Sequence, residues 1–139
     1  MIMGKIKIYL AHPGTIKLKR KALKIQKILE QNDYIVYNPF TSGEGQVLSA
    51  LWEKVPAERT MELSEQIIKA DLDAIDNSDI VVAFIPEPSI GTSMEIFFAA
   101  SLEIPVFIIT ELEHPWLICA GLIVKDVNEL LEILNNDEF

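Results

Sequence analysis

DIVVAFI, residues 79–85, decides the fold. After its aspartate every residue is apolar. A strand with one wet face would alternate apolar and polar side chains, so this one is covered on both faces, as in a parallel sheet sandwiched by helices. Working outward, residues 59–77 carry apolar side chains at helical spacing, and so do residues 93–102. PVFIIT, residues 105–110, repeats the buried-strand pattern. Further upstream, residues 5–11 (KIKIYLA) and 34–38 (YIVYN) read as strands, the second stopped by Pro39. Between them residues 15–31 form an amphipathic helix, with Leu18, Ala22, Ile25 and Leu29 on one stripe and Lys17, Arg20, Lys21, Lys24 and Lys27 opposite. Residues 41–46 are rich in Gly and Ser and read as a mobile loop. Residues 47–55 read as a short helix ended by Pro56, 121–124 as a short strand, and 127–135 as a closing helix.

Strands alternate with helices throughout, which calls for α/β layering. The expectation is a single domain over residues 1–139. Its fold is flavodoxin-like (Rossmann-like) and three-layered, with a five-stranded parallel sheet in the order 2-1-3-4-5. Ligands in such folds bind beyond the C-terminal strand ends near the switch point. Here that lies between strands one and three, so the loops at residues 11–15 and 86–92 are the ones to inspect.

Composition narrows the function. The chain has 139 residues, half of them apolar, which is enough for a core without disulfides. Net charge is −9, which repels nucleic acid polymers and anionic membranes at long range. No apolar run is long enough to span a bilayer. Two lysines interrupt the apolar stretch of MIMGKIKIYLAH, so no secretory leader is expected, and a cytoplasmic protein is. The single Cys119 excludes an intrachain disulfide and a cysteine zinc site, and His12 and His114 lie far apart, so no metal is expected. Charge is uneven: residues 1–29 hold eight Lys/Arg and no acid, while the remainder holds four against 21 acids. The basic helix face reads as solvated surface or as an attractor for an anionic ligand or acidic neighbour.

No G-x-G-x-x-G follows a strand, no phosphate-binding G-x-x-x-x-G-K-[ST] occurs, and no G-x-S-x-G elbow occurs. Chemistry therefore rests on carboxylates. In PEPSIGTSME, residues 86–95, two prolines stiffen a loop in which Gly91 permits close backbone approach or positive φ. Thr92 to Glu95 fits the S/T-x-x-E capping box, which places Glu95 in the first turn of the following helix. Partial positive charge there favours an ionised carboxylate, fit to cap the helix or to act as a nucleophile. Asp71 follows Ile68 by three residues and precedes Ile75 by four, so it shares their apolar face. A carboxylate so placed needs a partner or a cavity edge, and burial would raise its pKa toward proton transfer. Tyr9 and His12 lie at the tip of the first strand. Trp52, His114 and Trp116 are stacking candidates for a planar ligand, with packing as the alternative.

IYLAHP at Ile8, YNPF at Tyr37, DLDAIDNSDIVVAF at Asp71 and PSIGTSMEIFFAA at Pro88 together resemble the nucleoside 2-deoxyribosyltransferase family, which includes the related 2'-deoxynucleoside 5'-phosphate N-hydrolases. The resemblance implies the same flavodoxin-like fold. It also implies Glu95 as nucleophile, Asp71 as proton-transfer residue and Tyr9 as the group that holds the nucleophile. His12, Pro13, Ser89, Gly91 and Thr92 are implied as substrate contacts.

Two departures stand out. Ser89 replaces an aspartate typical of the transferases and is similar to the hydroxyl residues with which the hydrolases hold phosphate. The arginine those hydrolases place after strand one is absent, leaving Arg20 or Lys17 as substitutes. His12 stands where many relatives have glycine.

The implied reaction is cleavage of the N-glycosidic bond of a 2'-deoxynucleoside through a covalent deoxyribosyl–Glu95 intermediate, then transfer to a second free nucleobase. The alternatives are a 2'-deoxynucleoside 5'-monophosphate N-hydrolase and a non-catalytic nucleotide-binding module. No cofactor is implied, and a homodimer or higher homo-oligomer is.

Overall fold

The structure, a computed structural model, describes residues 4–54 and 56–136. The expected helix end at Val55 and the first three residues lie outside these.

Strands β1 (Lys7–Ala11), β2 (Ile35–Tyr37), β3 (Ile80–Phe84), β4 (Val106–Ile109) and β5 (Leu122–Val124) alternate with helices α1 (Ile16–Gln31), α2 (Gly43–Lys54), α3 (Met61–Asp76), α4 (Ile90–Ser101), α5 (Pro115–Ala120) and α6 (Val127–Asn135). A 3-10 turn at Pro56–Glu58 joins α2 to α3. The sheet is parallel in the order β2-β1-β3-β4-β5, as its sequence pattern predicts.

Period-two alternation divides each central strand between two cores. Ile8 and Leu10 of β1 and Ile80 and Val82 of β3 pack against Ala22, Ile25 and Leu29 of α1 and Leu130 and Leu134 of α6. Tyr9, Ala11, Val81 and Ala83 face the opposite side, toward Ile75 of α3, Ile96 and Ala99 of α4 and Leu117 of α5. Ala11 and Ala83 are register partners near the C-terminal ends of their strands. Two methyl groups where the other face has Leu10 and Val82 leave volume above the sheet.

Three local expectations change. Residues 41–46 are not a mobile loop, because α2 already begins at Gly43. Asn38 builds the preceding turn: its carbonyl accepts from Thr41 N and Ser42 N, and its backbone N–H donates to Ser42 Oγ at 3.1 Å. Gly45 then lies so close that a β-carbon there would be 2.7 Å from Pro39 O and 2.9 Å from Tyr37 Oη. Glycine in this segment permits contact with the sheet edge and does not signal mobility.

The helix after β3 starts at Ile90, three residues earlier than predicted, with Ser89 as N-cap. Pro88 fixes the approach, and the first turn tolerates Gly91 at ordinary helical φ. Helix α5 was not anticipated. Its signals are short: His114 Nδ1 accepts from Trp116 N at 3.2 Å, and Pro115 occupies the first turn.

Candidate active site

A cavity of about 750 Å³ opens at the C-terminal end of the sheet, beside β1 and β3 where the strand order reverses. His12, Pro13 and Gly14 follow β1 into its wall, Pro39 and Phe40 follow β2, and Ser49, Trp52 and Glu53 come from α2. Helix α3 adds Ile67, Ile68 and Asp71. Ser89 and the first turns of α4 complete the wall with Gly91, Thr92 and Glu95.

The capping-box reading of Glu95 does not hold. Ser89 Oγ accepts from Thr92 N at 3.4 Å, so the cap lies six residues before Glu95. Glu95 therefore sits in the second turn, where the helix dipole gives an anion little support. Its partner is Tyr9, whose hydroxyl donates to Glu95 Oε2. Tyr9 is fully buried beneath the cavity, its ring stacked on Tyr37 at 5.7 Å between centroids. Tyr37 Oη in turn accepts from Gly45 N at 3.2 Å. A strand, a sheet edge and a helix start thus converge on one carboxyl.

Burial, reinforced by the negative charge of Asp71, raises the Glu95 pKa from an ordinary 4.5 to about 8. Burial likewise raises Asp71 from 3.8 to about 6, opposed by its hydrogen bond with Glu95. The expectation of an ionised Glu95 is corrected accordingly. Burial and the neighbouring acid thus favour one shared proton on the pair near neutral pH, with Glu95 the harder of the two to ionise. Tyr9 is raised well above 10 by burial and by the charge of Glu95, so it stays a donor.

His12 is buried and wedged between two acceptors: Nδ1 lies 2.9 Å from Pro13 O and Nε2 lies 2.9 Å from Asn38 Oδ1. Asn38 Oδ1 also accepts from Phe40 N at 3.0 Å, while its amide nitrogen donates to Gln26 Oε1 at 3.1 Å. Burial lowers the His12 pKa although both hydrogen bonds oppose this. The His12 ring packs on Phe40 at 4.9 Å.

Gly91 has neither positive φ nor a close neighbour: a β-carbon there would meet nothing within 4 Å. It leaves open space on the cavity wall. Ser89 Oγ donates to Thr92 Oγ1 at 2.9 Å, so both hydroxyls are engaged with each other. Neither Lys17 nor Arg20 lines the cavity. Of the three aromatic candidates only Trp52 does. His114 caps α5, and Trp116 lies outside against Phe97 at 5.6 Å. Asn38, Tyr37 and Phe40 were not singled out as site residues, although YNPF had already marked the segment. Among the described residues no group of three or more His, Cys, Asp or Glu is placed to hold a metal ion.

A family model described as nucleoside 2-deoxyribosyltransferase matches residues 8–134. The chain belongs to the nucleoside 2-deoxyribosyltransferase family. Among solved structures, it is similar to the 2-deoxyribosyltransferase of the psychrotolerant bacterium Bacillus psychrosaccharolyticus, with TM-score 0.68 and 22% identity over 89% of each chain. It is also similar to the CMP N-glycosidase of Clostridium botulinum, with TM-score 0.56 and 21% identity over 93% of this chain and 98% of that one. No curated protein sequence matches it. At these identities the two structures speak for the deoxyribosyltransferase fold, and the family match carries the membership. The family and both neighbours bear names of enzymes that transfer glycosyl groups or cleave N-glycosidic bonds. No helix among the described residues is long and apolar enough to cross a membrane.

Proposed function

We propose that the protein cleaves the N-glycosidic bond of 2'-deoxynucleosides and transfers the deoxyribosyl group to another nucleobase. The placement of Asp71 and Glu95 together at the wall of a largely apolar cavity, with the Tyr9 hydroxyl on Glu95, is the observation that carries this reading. As C1' approaches, the Glu95 proton passes to Asp71. The Glu95 carboxylate then forms the bond to C1' while the bond to the base nitrogen breaks, and Asp71 delivers the proton to that base. The transition state is oxocarbenium-like, and a sugar without a 2'-hydroxyl reaches it more readily. Tyr9 keeps Glu95 in line. In the second half an incoming base takes C1' from Glu95 and returns its proton to the pair. His12, Pro13, Ser89, Gly91 and Thr92 shape the substrate contacts in this scheme, and it draws on no cofactor.

The reading extends to the whole chain as one domain and to assembly of at least a dimer. Ile90, Met94 and Phe97 on the cavity wall and Trp116 just outside it leave an exposed apolar stripe at the cavity mouth, which supports association of copies there.

Incubating the protein with each deoxynucleoside, with and without a second base, and following free base by chromatography tests the reaction. Base exchange that disappears in Glu95→Gln is the expected result. Mass spectrometry should find the deoxyribosyl adduct on the peptide containing Glu95. An adduct elsewhere, or full exchange by Glu95→Gln, overturns the mechanism.

A further inference from the structure

The wall of the cavity carries three carboxyl groups, on Glu53, Asp71 and Glu95, and no lysine or arginine among the described residues. A 5'-phosphate, close to doubly charged at neutral pH, would enter it without a counter-charge. The cation at the rim is Lys19. Its Cε comes within 4.0 Å of where a β-carbon on Gly14 would stand, and its Nζ lies 4.9 Å from the Phe40 ring centroid. Both Gly14 and Phe40 line the cavity. Lys19 Nζ is nevertheless taken: it donates to Glu53 Oε1 at 2.6 Å. The pair joins α1 to α2 across the rim. Its side chains are 28% and 51% exposed, so it adds little to stability. The hydroxyls of Ser89 and Thr92, the other groups suited to phosphate, are engaged with each other.

We propose that Glu53 determines specificity by occupying Lys19 and presenting a carboxylate of its own, which turns the site toward neutral nucleosides and against nucleoside 5'-monophosphates. This rests on the nucleoside-cleaving reading above. The logic is negative selection: with Lys19 already held by Glu53, the phosphate of the analogue meets acidic groups and no free cation, a cost the neutral nucleoside does not bear.

The test is the ratio of kcat/KM for a deoxynucleoside 5'-monophosphate to that for its deoxynucleoside. It is measured in the wild type, Glu53→Gln, and Glu53→Gln combined with Lys19→Gln. The wild type should favour the nucleoside. Glu53→Gln should raise the ratio by about tenfold or more, and the added Lys19→Gln should cancel the gain. A calorimetric titration with deoxyribose 5-phosphate needs no turnover; binding should appear in Glu53→Gln and vanish in the double variant. Wild-type preference for the monophosphate overturns the proposal, as does an unchanged ratio in folded Glu53→Gln or a gain that survives loss of Lys19. If no variant releases base from any substrate, the nucleoside-cleaving reading fails, and the calorimetric arm alone decides whether Glu53 guards Lys19.

Discussion

The two faces of the sheet are built from the same strands and do opposite work. Under α1 and α6 the side chains are Ile8, Leu10, Ile80 and Val82, and the layer is filled with hydrocarbon. Under α3 and α4 they are Tyr9, Ala11, Val81 and Ala83, and the layer holds a phenol, a carboxyl pair and a cavity. The packed face stabilises the fold. The other face is left short of volume and loaded with groups whose charged forms burial disfavours. Stability and reactivity are thereby separated by one residue of strand period.

Breaking the chemical face at Glu95 should give the largest effect. Glu95→Gln is expected to lower base exchange on the order of 10⁴-fold or more, since the bond-forming group is gone. Stability should move the other way. Burial raises Glu95 and Asp71 above their ordinary values, so the folded state binds more protons than the unfolded. The stability this confers is full below about pH 4 and is lost as pH rises through about 6 and then about 8. Glu95→Gln removes the costlier ionisation, so above pH 8 it should melt higher than the wild type by more than about 1 kcal/mol. Thermal melts from pH 5 to pH 9 check this; a variant no more stable at pH 9 refutes the buried-acid account.

Asp71→Asn should come next, lowering turnover by about 10²–10⁴-fold with little change in melting temperature. The matched experiment on the packed face is Leu10→Ala. It should cost about 2–5 kcal/mol of stability, measured by denaturant unfolding, with turnover per folded molecule near normal. If Asp71→Asn behaves like Leu10→Ala, the distinction between the faces fails.

A pair sharing one proton gives a bell-shaped pH profile for kcat/KM. Its limbs should lie near 6 and 8, as apparent values of the pair. Asp71→Asn should remove the acid limb and, by deleting the negative charge beside Glu95, move the remaining limb downward. Gly91→Ala is the gentlest probe. A methyl there meets no protein atom, so stability should hold or rise by roughly 0.4–1 kcal/mol. KM should rise, because the methyl takes space from the cavity. An unchanged KM would place the substrate away from the start of α4.

The packed face was legible in the sequence almost residue by residue. Leu18, Ala22, Ile25 and Leu29 are the buried stripe of α1, as their spacing required. Strand order followed from alternation and from the fully apolar β3. The chemical face was legible in part. Asp71 stood out as an acid at an apolar position, a local signal. The register of α4 was misread because S/T-x-x-E occurs at Thr92 while the true cap is Ser89, and Gly91 looked like a break. The charge state of Glu95 has no local signal either, since it is set by burial and by Asp71, which only the folded chain brings to it. The contacts of Lys19 with Glu53 and of His12 with Asn38 arise only when the sheet brings α1, α2 and the strand ends together. No local pattern encodes such pairings.

Ser89 starts α4, and Glu95 rides six residues further along the same rigid cylinder, held from below by Tyr9 on a central strand. The loop before Ser89 can therefore vary in length or composition without re-aiming the reactive group, provided the serine cap is kept. Mutational drift, or a designer grafting new loops between β3 and α4, can remodel the roof over the substrate while the reactive centre keeps its coordinates. Such a site is suited to diversification: its recognition parts are replaceable modules and its chemistry is anchored to the chassis.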